Sequence, residues 1–197
     1  MTKTSAVILA GGKNRRLSGT DKALLYYRGK TFIDHILGEL TGFPEILIST
    51  DRKNRYPGFA IDIIIDPKPD LGPISGLQSA LSNARHDWVF IIACDMPLVT
   101  RGLIQKLTLN LINESNAVIP VTRDGRFHPL CAFYHKRTLP LVNSQIKKGN
   151  YRMMDLIALM KVKEMKLENL DFPDTILTNI NTPEDYDSLI IQQKEPL

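Results

Sequence analysis

Apolar residues fall in short unbroken runs along the chain. These runs alternate with stretches in which apolar positions recur every three or four residues. The first pattern marks buried strands and the second amphipathic helices. Ala6-Val7-Ile8-Leu9-Ala10 reads as a buried strand that stops at Gly11-Gly12. Thr31 has N-cap character with Asp34 in the first turn, and Ile33, Ile36, Leu37 and Leu40 form a helix face ended by Gly42 and Pro44. Residues 45–50 and 61–65 read as strands around a polar loop at 52–58. Residues 67–73 must be loop, because Pro67, Pro69, Gly72 and Pro73 exclude regular structure. Pro73 suits a first helical position, with Ile74, Leu77, Ala80, Leu81 and Ala84 as the apolar face. Residues 88–93 are continuously apolar, as in a strand covered on both faces, and end at Cys94-Asp95-Met96-Pro97.

Beyond Pro97, Thr100 caps a helix with Leu103, Ile104, Leu107 and Leu111 on one face. Residues 117–121 and 130–134 read as an antiparallel pair around the turn at 123–126. Two helical patterns occupy 138–160, broken at Lys148-Gly149-Asn150; the stripe Met153, Leu156, Ile157 and Met160 reads as core. Residues 162–167 alternate weakly, 175–180 read as a last strand, and Thr182-Pro183-Glu184-Asp185 starts a helix. Strand and helix therefore alternate, with polar residues at strand ends. This predicts an α/β protein: a three-layer, Rossmann-like fold with a mainly parallel central sheet and its ligand site above the carboxyl ends of the strands. No repeat or long linker divides the chain, so residues 1–197 are expected to form a single domain.

Composition narrows the function classes only a little. With 43% hydrophobic and 23% charged residues among 197, the chain has an ordinary globular balance. No apolar run approaches the roughly 20 residues of a membrane span, and the first one is too short for a signal peptide. A cytoplasmic protein without membrane partners is the expectation. The net charge of +4 arises from 25 basic and 21 acidic side chains spread along the chain. That spread favours a small anionic ligand over nucleic acid. Cys94 and Cys131 lie in apolar runs with no metal-type spacing, and read as reduced, buried residues.

Candidate chemistry centres on residues 6–22, AVILAGGKNRRLSGTDK, where a strand delivers a glycine turn beside Lys13, Arg15, Arg16 and Lys22. Exposed backbone N–H groups next to fixed cations suit a polyphosphate. The stretch matches neither the phosphate-loop pattern G-x-x-x-x-G-K-[ST] nor G-x-G-x-x-G, and a plain surface loop is the competing reading. Three further segments would reach the same sheet edge: 66–76, Asp95 and 179–182. A carboxylate directly after a fully apolar strand is rigidly held, and beside a phosphate site it is a ready Mg²⁺ ligand. The competing role for Asp95 is to cap the following turn.

The run L-A-G-G-K-x-R-R-L-x-G-x-D-K, followed by G-P-I-S-G-L, A-C-D-M-P, R-F-H-P and N-I-N-T-P-E-D, resembles the molybdenum cofactor guanylyltransferases, the MobA family, along nearly the whole chain. The glycine loop and central aspartate are shared with the wider class of nucleotide-sugar pyrophosphorylase-like nucleotidyltransferases. The five segments in this order point to the narrower family. The resemblance implies that Leu9, Ala10, Gly11 and Gly12 wrap a guanine nucleotide, that Lys22 meets its phosphates, and that Asp66 belongs to the same site. It further implies that Asp95 binds Mg²⁺ and that bulk at Gly12 or Gly72 would intrude on substrate. Asn181 resembles a late metal- or substrate-facing position, with Asn179 as its rival. Arg126 and His128 match a motif near the pterin side of the cleft, where Asn179 is also expected.

Leu17-Ser18 stands where Met-Gly is common, and Ser49-Thr50-Asp51 where relatives often place Asn. The implied reaction is Mg²⁺-dependent transfer of GMP from GTP to molybdopterin, with release of pyrophosphate. Arg16 and Lys22 would hold the leaving group. Molybdoenzyme apoproteins and cofactor-insertion proteins are the implied downstream partners. The alternatives are a nucleotidyltransferase using CTP with molybdopterin or an NTP with a sugar or polyol phosphate, and a non-catalytic binding module.

Overall fold

The computed structural model describes residues 3–11, 21–52, 55–66 and 68–191. Gly12, Lys13, Arg15, Arg16, Leu17, Ser18 and Pro67 lie outside the described residues. In chain order the elements are β1 (Thr4–Leu9), β2 (Tyr26–Tyr27), β3 (Lys30–Thr31), α1 (Phe32–Glu39), β4 (Glu45–Thr50), β5 (Asp62–Ile65), α2 (Pro73–Asn83) and β6 (Trp88–Ala93). They continue as α3 (Arg101–Thr108), β7 (Ala117–Val121), β8 (Cys131–His135), α4 (Leu139–Lys147), α5 (Met153–Ile157), β9 (Val162–Lys166) and α6 (Pro183–Ile191).

Seven strands form one sheet in the order β5-β4-β1-β6-β8-β7-β9, and β2 and β3 form a small separate ribbon. Within the sheet β8 runs antiparallel to both neighbours, and the other pairings are parallel. Alternation along the central strands produces the three layers. Ala6, Ile8, Phe90 and Ile92 face α1 and α3, whereas Val7, Val89 and Ile91 face α2, α4 and α5. Each large apolar side chain buried this way contributes about 1.5–3 kcal/mol, so a one-residue slip of register would expose both cores together. The mainly parallel α/β architecture is therefore as expected.

Local signals held in several places. Thr31 and Asp34 form a reciprocal capping box at the start of α1. Pro73 opens α2, and β7 and β8 pair antiparallel, with a further bridge between Val121 and Phe127. Both cysteines are buried, as expected. One element differs: residues 175–180 form no strand. A 3-10 turn at Asp174–Leu177 leads into extended backbone that crosses the end of β6, where the Ile180 N–H donates to the Asp95 carbonyl at 2.8 Å. Ile176, Leu177 and Ile180 are apolar because they are buried beneath that crossing. One edge of the sheet is β9, whose weak alternation reflects a strand largely open to solvent.

After β1 the chain builds outward through β4 and β5, then crosses to place β6 on the other side of β1. The carboxyl ends of β1 and β6 thus flank the point where strand order reverses, where open α/β sheets leave a crevice.

Candidate functional site

That crevice holds a cavity of about 200 Å³ bordered by Gly11, Asp66, Gly72, Gly76 and Asp95. Its glycines serve different physical ends. A Cβ on Gly11 would lie 2.8 Å from Asp66 Oδ2, so Gly11 makes room for that carboxyl. A Cβ on Gly76 would come within 3.0 Å of Leu9 Cδ2. Gly72 has no described residue within 4 Å of its Cβ position but adopts φ +74°, ψ −156° as it leads into α2, a conformation nearly confined to glycine. Asp66 is buried and accepts a hydrogen bond from the Ser49 hydroxyl. Burial raises its carboxyl above the ordinary value, Ser49 opposes that shift, and nearby Asp51 adds to it.

Asp95 lies where this cavity meets the second half of the chain. Asn179 Nδ2 donates to Asp95 Oδ1 at 3.0 Å, and Lys22 Nζ sits 3.4 Å from Asp95 Oδ2. The same ammonium donates to Asn181 Oδ1 at 2.7 Å. Asn179 and Asn181 flank Ile180, which is buried and whose N–H anchors the segment to the Asp95 backbone. Asp185 accepts from the Asn181 and Thr182 N–H groups, which fixes the start of α6 and holds the Asp185 carboxyl below its ordinary pKa.

A carboxylate oxygen and an amide oxygen therefore converge on one position already taken by a cationic group. These are hard donors of the kind Mg²⁺ selects, and Mg²⁺ completes its shell with water and substrate phosphates. Among the described residues no three His, Cys, Asp or Glu side chains gather at one point. The donor set thus fits a hydrated cation shared with substrate and not a cage made wholly of protein.

On the far side of Asp95 a second cavity of about 330 Å³ is bordered by Asp124, Arg126, His128, Asn179, Asn181 and Asp185. A passage bordered by Asp95, Arg126, His128, Asn179 and Asn181 joins it to the first. His128 is 8% exposed, and its Nε2 has no hydrogen-bond partner among the described residues. Burial depresses its pKa and Arg126 adds to the effect, so the ring is neutral at pH 7.

Leu9, Gly11, Asp66, Gly72 and Asp95 all border the first cavity. Lys22, Arg126, His128, Asn179 and Asn181 gather around Asp95 or in the adjoining cavity. Ala10 is fully buried, and its carbonyl accepts from the Tyr56 hydroxyl at 3.2 Å. Gly12 and Arg16 lie outside the described residues. Sequence reasoning missed Ser49 as the partner of Asp66, and missed Asp21 with the pair Arg55-Tyr56, which form a network beside Lys22. The one available signal was a tyrosine in an otherwise polar loop, since a large aromatic in such a setting commonly anchors it to the core.

A family profile described as a MobA-like NTP transferase domain matches residues 6–165. A Vibrio atlanticus molybdenum cofactor guanylyltransferase is 33% identical over 190 residues, covering 93% of this chain and 94% of that protein. A Vibrio cholerae protein of the same name is 33% identical over 188 residues, covering 92% of this chain and 89% of its own. Among solved structures, molybdopterin-guanine dinucleotide biosynthesis protein A from Archaeoglobus fulgidus superposes with a TM-score of 0.80 at 22% identity, covering 97% of this chain and 100% of its own. That last likeness speaks to the fold.

Proposed function

The chain belongs to the MobA-like NTP transferase family and is a nucleotidyltransferase; on that premise we propose that it transfers GMP from GTP to molybdopterin, releasing pyrophosphate and forming a guanine dinucleotide cofactor. The observation that carries this reading is the position of Asp95. It stands between two joined cavities, tied to Lys22 on one side and Asn179 on the other. GTP occupies the cavity bordered by Gly11, Asp66 and Gly72, next to the amino end of α2, whose backbone dipole favours a negative group. Molybdopterin occupies the cavity of Arg126, His128 and Asn179.

The terminal phosphate of molybdopterin attacks the α-phosphorus of GTP, the bond to the bridging β-phosphate oxygen breaks, and pyrophosphate leaves. A phosphate is already a nucleophile at neutral pH, so positioning and charge neutralisation carry most of the catalysis. Asp95 and Asn181 would hold a divalent cation, Mg²⁺ in this reading, which supplies charge neutralisation to the reacting phosphates when bound. Lys22 pairs with the leaving pyrophosphate, and Arg16 is assigned the same task from the sequence resemblance. Asn179 keeps the Asp95 carboxylate oriented. Arg126 neutralises the acceptor phosphate, and neutral His128 offers its unpartnered ring nitrogen to the pterin.

Pyrophosphate release measured with GTP, CTP, ATP and UTP, with and without molybdopterin and Mg²⁺, tests the reading. Release with GTP that requires both molybdopterin and the metal is the expected result. Preference for CTP, or turnover only with a sugar or polyol phosphate, would reassign the specificity; nucleotide binding without turnover would make the chain a binding module.

A further inference from the structure

Lys22 is held on a single 3-10 turn, Lys22–Leu24, which has little stability of its own. Its position depends on Asp21, the N-cap, whose carboxylate accepts from the Ala23 N–H at 3.2 Å. Asp21 is itself fixed by two consecutive residues of the loop after β4. Arg55 Nε donates to Asp21 Oδ2 at 2.8 Å, while Arg55 Nη1 contacts Asp51 Oδ1 at 2.6 Å. The Tyr56 hydroxyl lies 3.1 Å from Asp21 Oδ2 and 3.2 Å from the Ala10 carbonyl, so its proton serves either acceptor. Both side chains are immobilised, Arg55 at 7% side-chain exposure and Tyr56 at 1% overall. Burial, with Cys94 and Asp21 close by, raises the pKa of the Tyr56 phenol, which keeps it a donor.

This network ties Asp21 to the end of β1 through Tyr56 and to the end of β4 through Arg55. The next residue then delivers its ammonium to Asp95 and Asn181. A lysine alone is poorly suited to such fixed placement, because its long flexible side chain loses much rotamer entropy when held. Nor is the network explained by stability alone, since buried charged groups are often no more stabilising than apolar residues of the same shape.

We propose that Tyr56 and Arg55 are positioning residues that set the site of the Lys22 ammonium through Asp21. The importance of that placement for transfer rests on the guanylyltransferase reading, but the placement itself can be measured without any substrate. Limited acylation with acetic anhydride, quantified by peptide mass spectrometry, reports the freedom of Lys22. Lys136 serves as internal reference, because its Nζ is bound to the Ala84 carbonyl at the opposite end of the sheet.

In Tyr56→Phe, Lys22 labelling relative to Lys136 should rise about threefold to tenfold, the equivalent of one lost hydrogen bond. Arg55→Met should raise it further, and Arg55→Lys should restore part of the protection. With GTP and molybdopterin, Tyr56→Phe should lower kcat by a similar factor while leaving KM for GTP near the parent, and should add nothing to the loss in a Lys22→Met background. Glu45→Gln, which weakens the pair between the buried Glu45 carboxylate and the exposed Arg85 at the far edge, should lower the melting temperature yet leave Lys22 labelling and kcat unchanged.

Unchanged Lys22 labelling in Tyr56→Phe, which removes one oxygen and keeps the ring, would overturn the proposal. Equal increases at Lys22 and Lys136 would overturn it too, as general loosening. Raised Lys22 labelling in Tyr56→Phe, found together with a parent protein that transfers no GMP, would support the positioning role and refute the proposed activity.

Discussion

Gly11→Ala isolates the steric contact on which the floor of the first cavity depends. Gly11 is not among the residues with positive φ, so its backbone accepts alanine and the cost arises from contacts alone. The new methyl would stand 2.8 Å from Asp66 Oδ2, 3.4 Å from the Asp51 nitrogen and 3.5 Å from the Thr50 carbonyl carbon. The last two are tolerable, but the first forces the Asp66 carboxyl to turn away from Ser49. Overpacking of this kind costs about 1–3 kcal/mol, and the smaller unfolded-state entropy of alanine offsets about 0.4–1 kcal/mol. The net loss should be about 1–2 kcal/mol, lowering the melting temperature by roughly 2–8 °C for a chain of this length. Urea unfolding followed by far-UV circular dichroism gives the value in the parent and in an Asp66→Ala background. With the carboxyl removed, Gly11→Ala should cost nothing. An equal loss in both backgrounds would refute the contact as its cause.

Gly72→Ala should also lose about 1–3 kcal/mol in the same assay, but through backbone strain at φ +74°. No truncation of a described neighbour should rescue it, because no described residue lies within 4 Å of the new Cβ. Asp95→Asn should reduce guanylyl transfer by at least about 100-fold, the scale of losing one electrostatic contact to the reacting group, and should weaken the dependence on Mg²⁺ concentration. Acid should destabilise the protein, beginning just below the ordinary histidine value of 6.5. Burial lowers both His128 and His135, so below that pH the unfolded chain binds protons that the folded one does not. Their contribution is intact above about pH 6.5 and is lost as pH falls. Urea midpoints at about pH 7.5 and about pH 5.5 should show the decline, and His128→Gln should reduce it. The depressed Glu45, Asp51 and Asp185 carboxyls extend the same trend into the ordinary carboxylate range, while raised Asp66 works against it.

Legibility in the sequence followed the physics of each signal. Runs buried on both faces, such as β1 and β6, have no polar alternative and were plain. The same apolar content misled at 175–180, because Ile176, Leu177 and Ile180 are buried by crossing the strand ends and not by pairing along a strand. Asp66, Asp95 and the two asparagines were legible because polar residues at the ends of apolar runs must surface at the carboxyl edge. Asn179 and Asn181 could not be told apart from sequence. In the structure the first donates to the Asp95 carboxylate and the second accepts from Lys22, so they hold different roles and not rival claims to one. Arg55 and Tyr56 were hidden because their partners, Asp21, Asp51 and Ala10, are distant or ambiguous in sequence and meet only through the loop after β4.

The topology explains how one aspartate comes to border two joined cavities. Everything bordering the first cavity, apart from Leu130, comes from the parallel half of the sheet that ends with β6 and its terminal Asp95. Everything bordering the second comes from the loop between β7 and β8 and from residues 174–185. The antiparallel insertion of β8 beside β6 brings Arg126 and His128 back to the edge at which β6 ends. Had the chain continued with a parallel strand there, the connection before it would have returned to the opposite edge, and the rim next to Asp95 would have been formed by other residues. A group transfer between two phosphorylated reactants needs charge control at their meeting point. In the proposed reaction that point would be the junction of the halves, where Lys22 from the first and Asn179 and Asn181 from the second close on the same carboxylate and its neighbouring cation position.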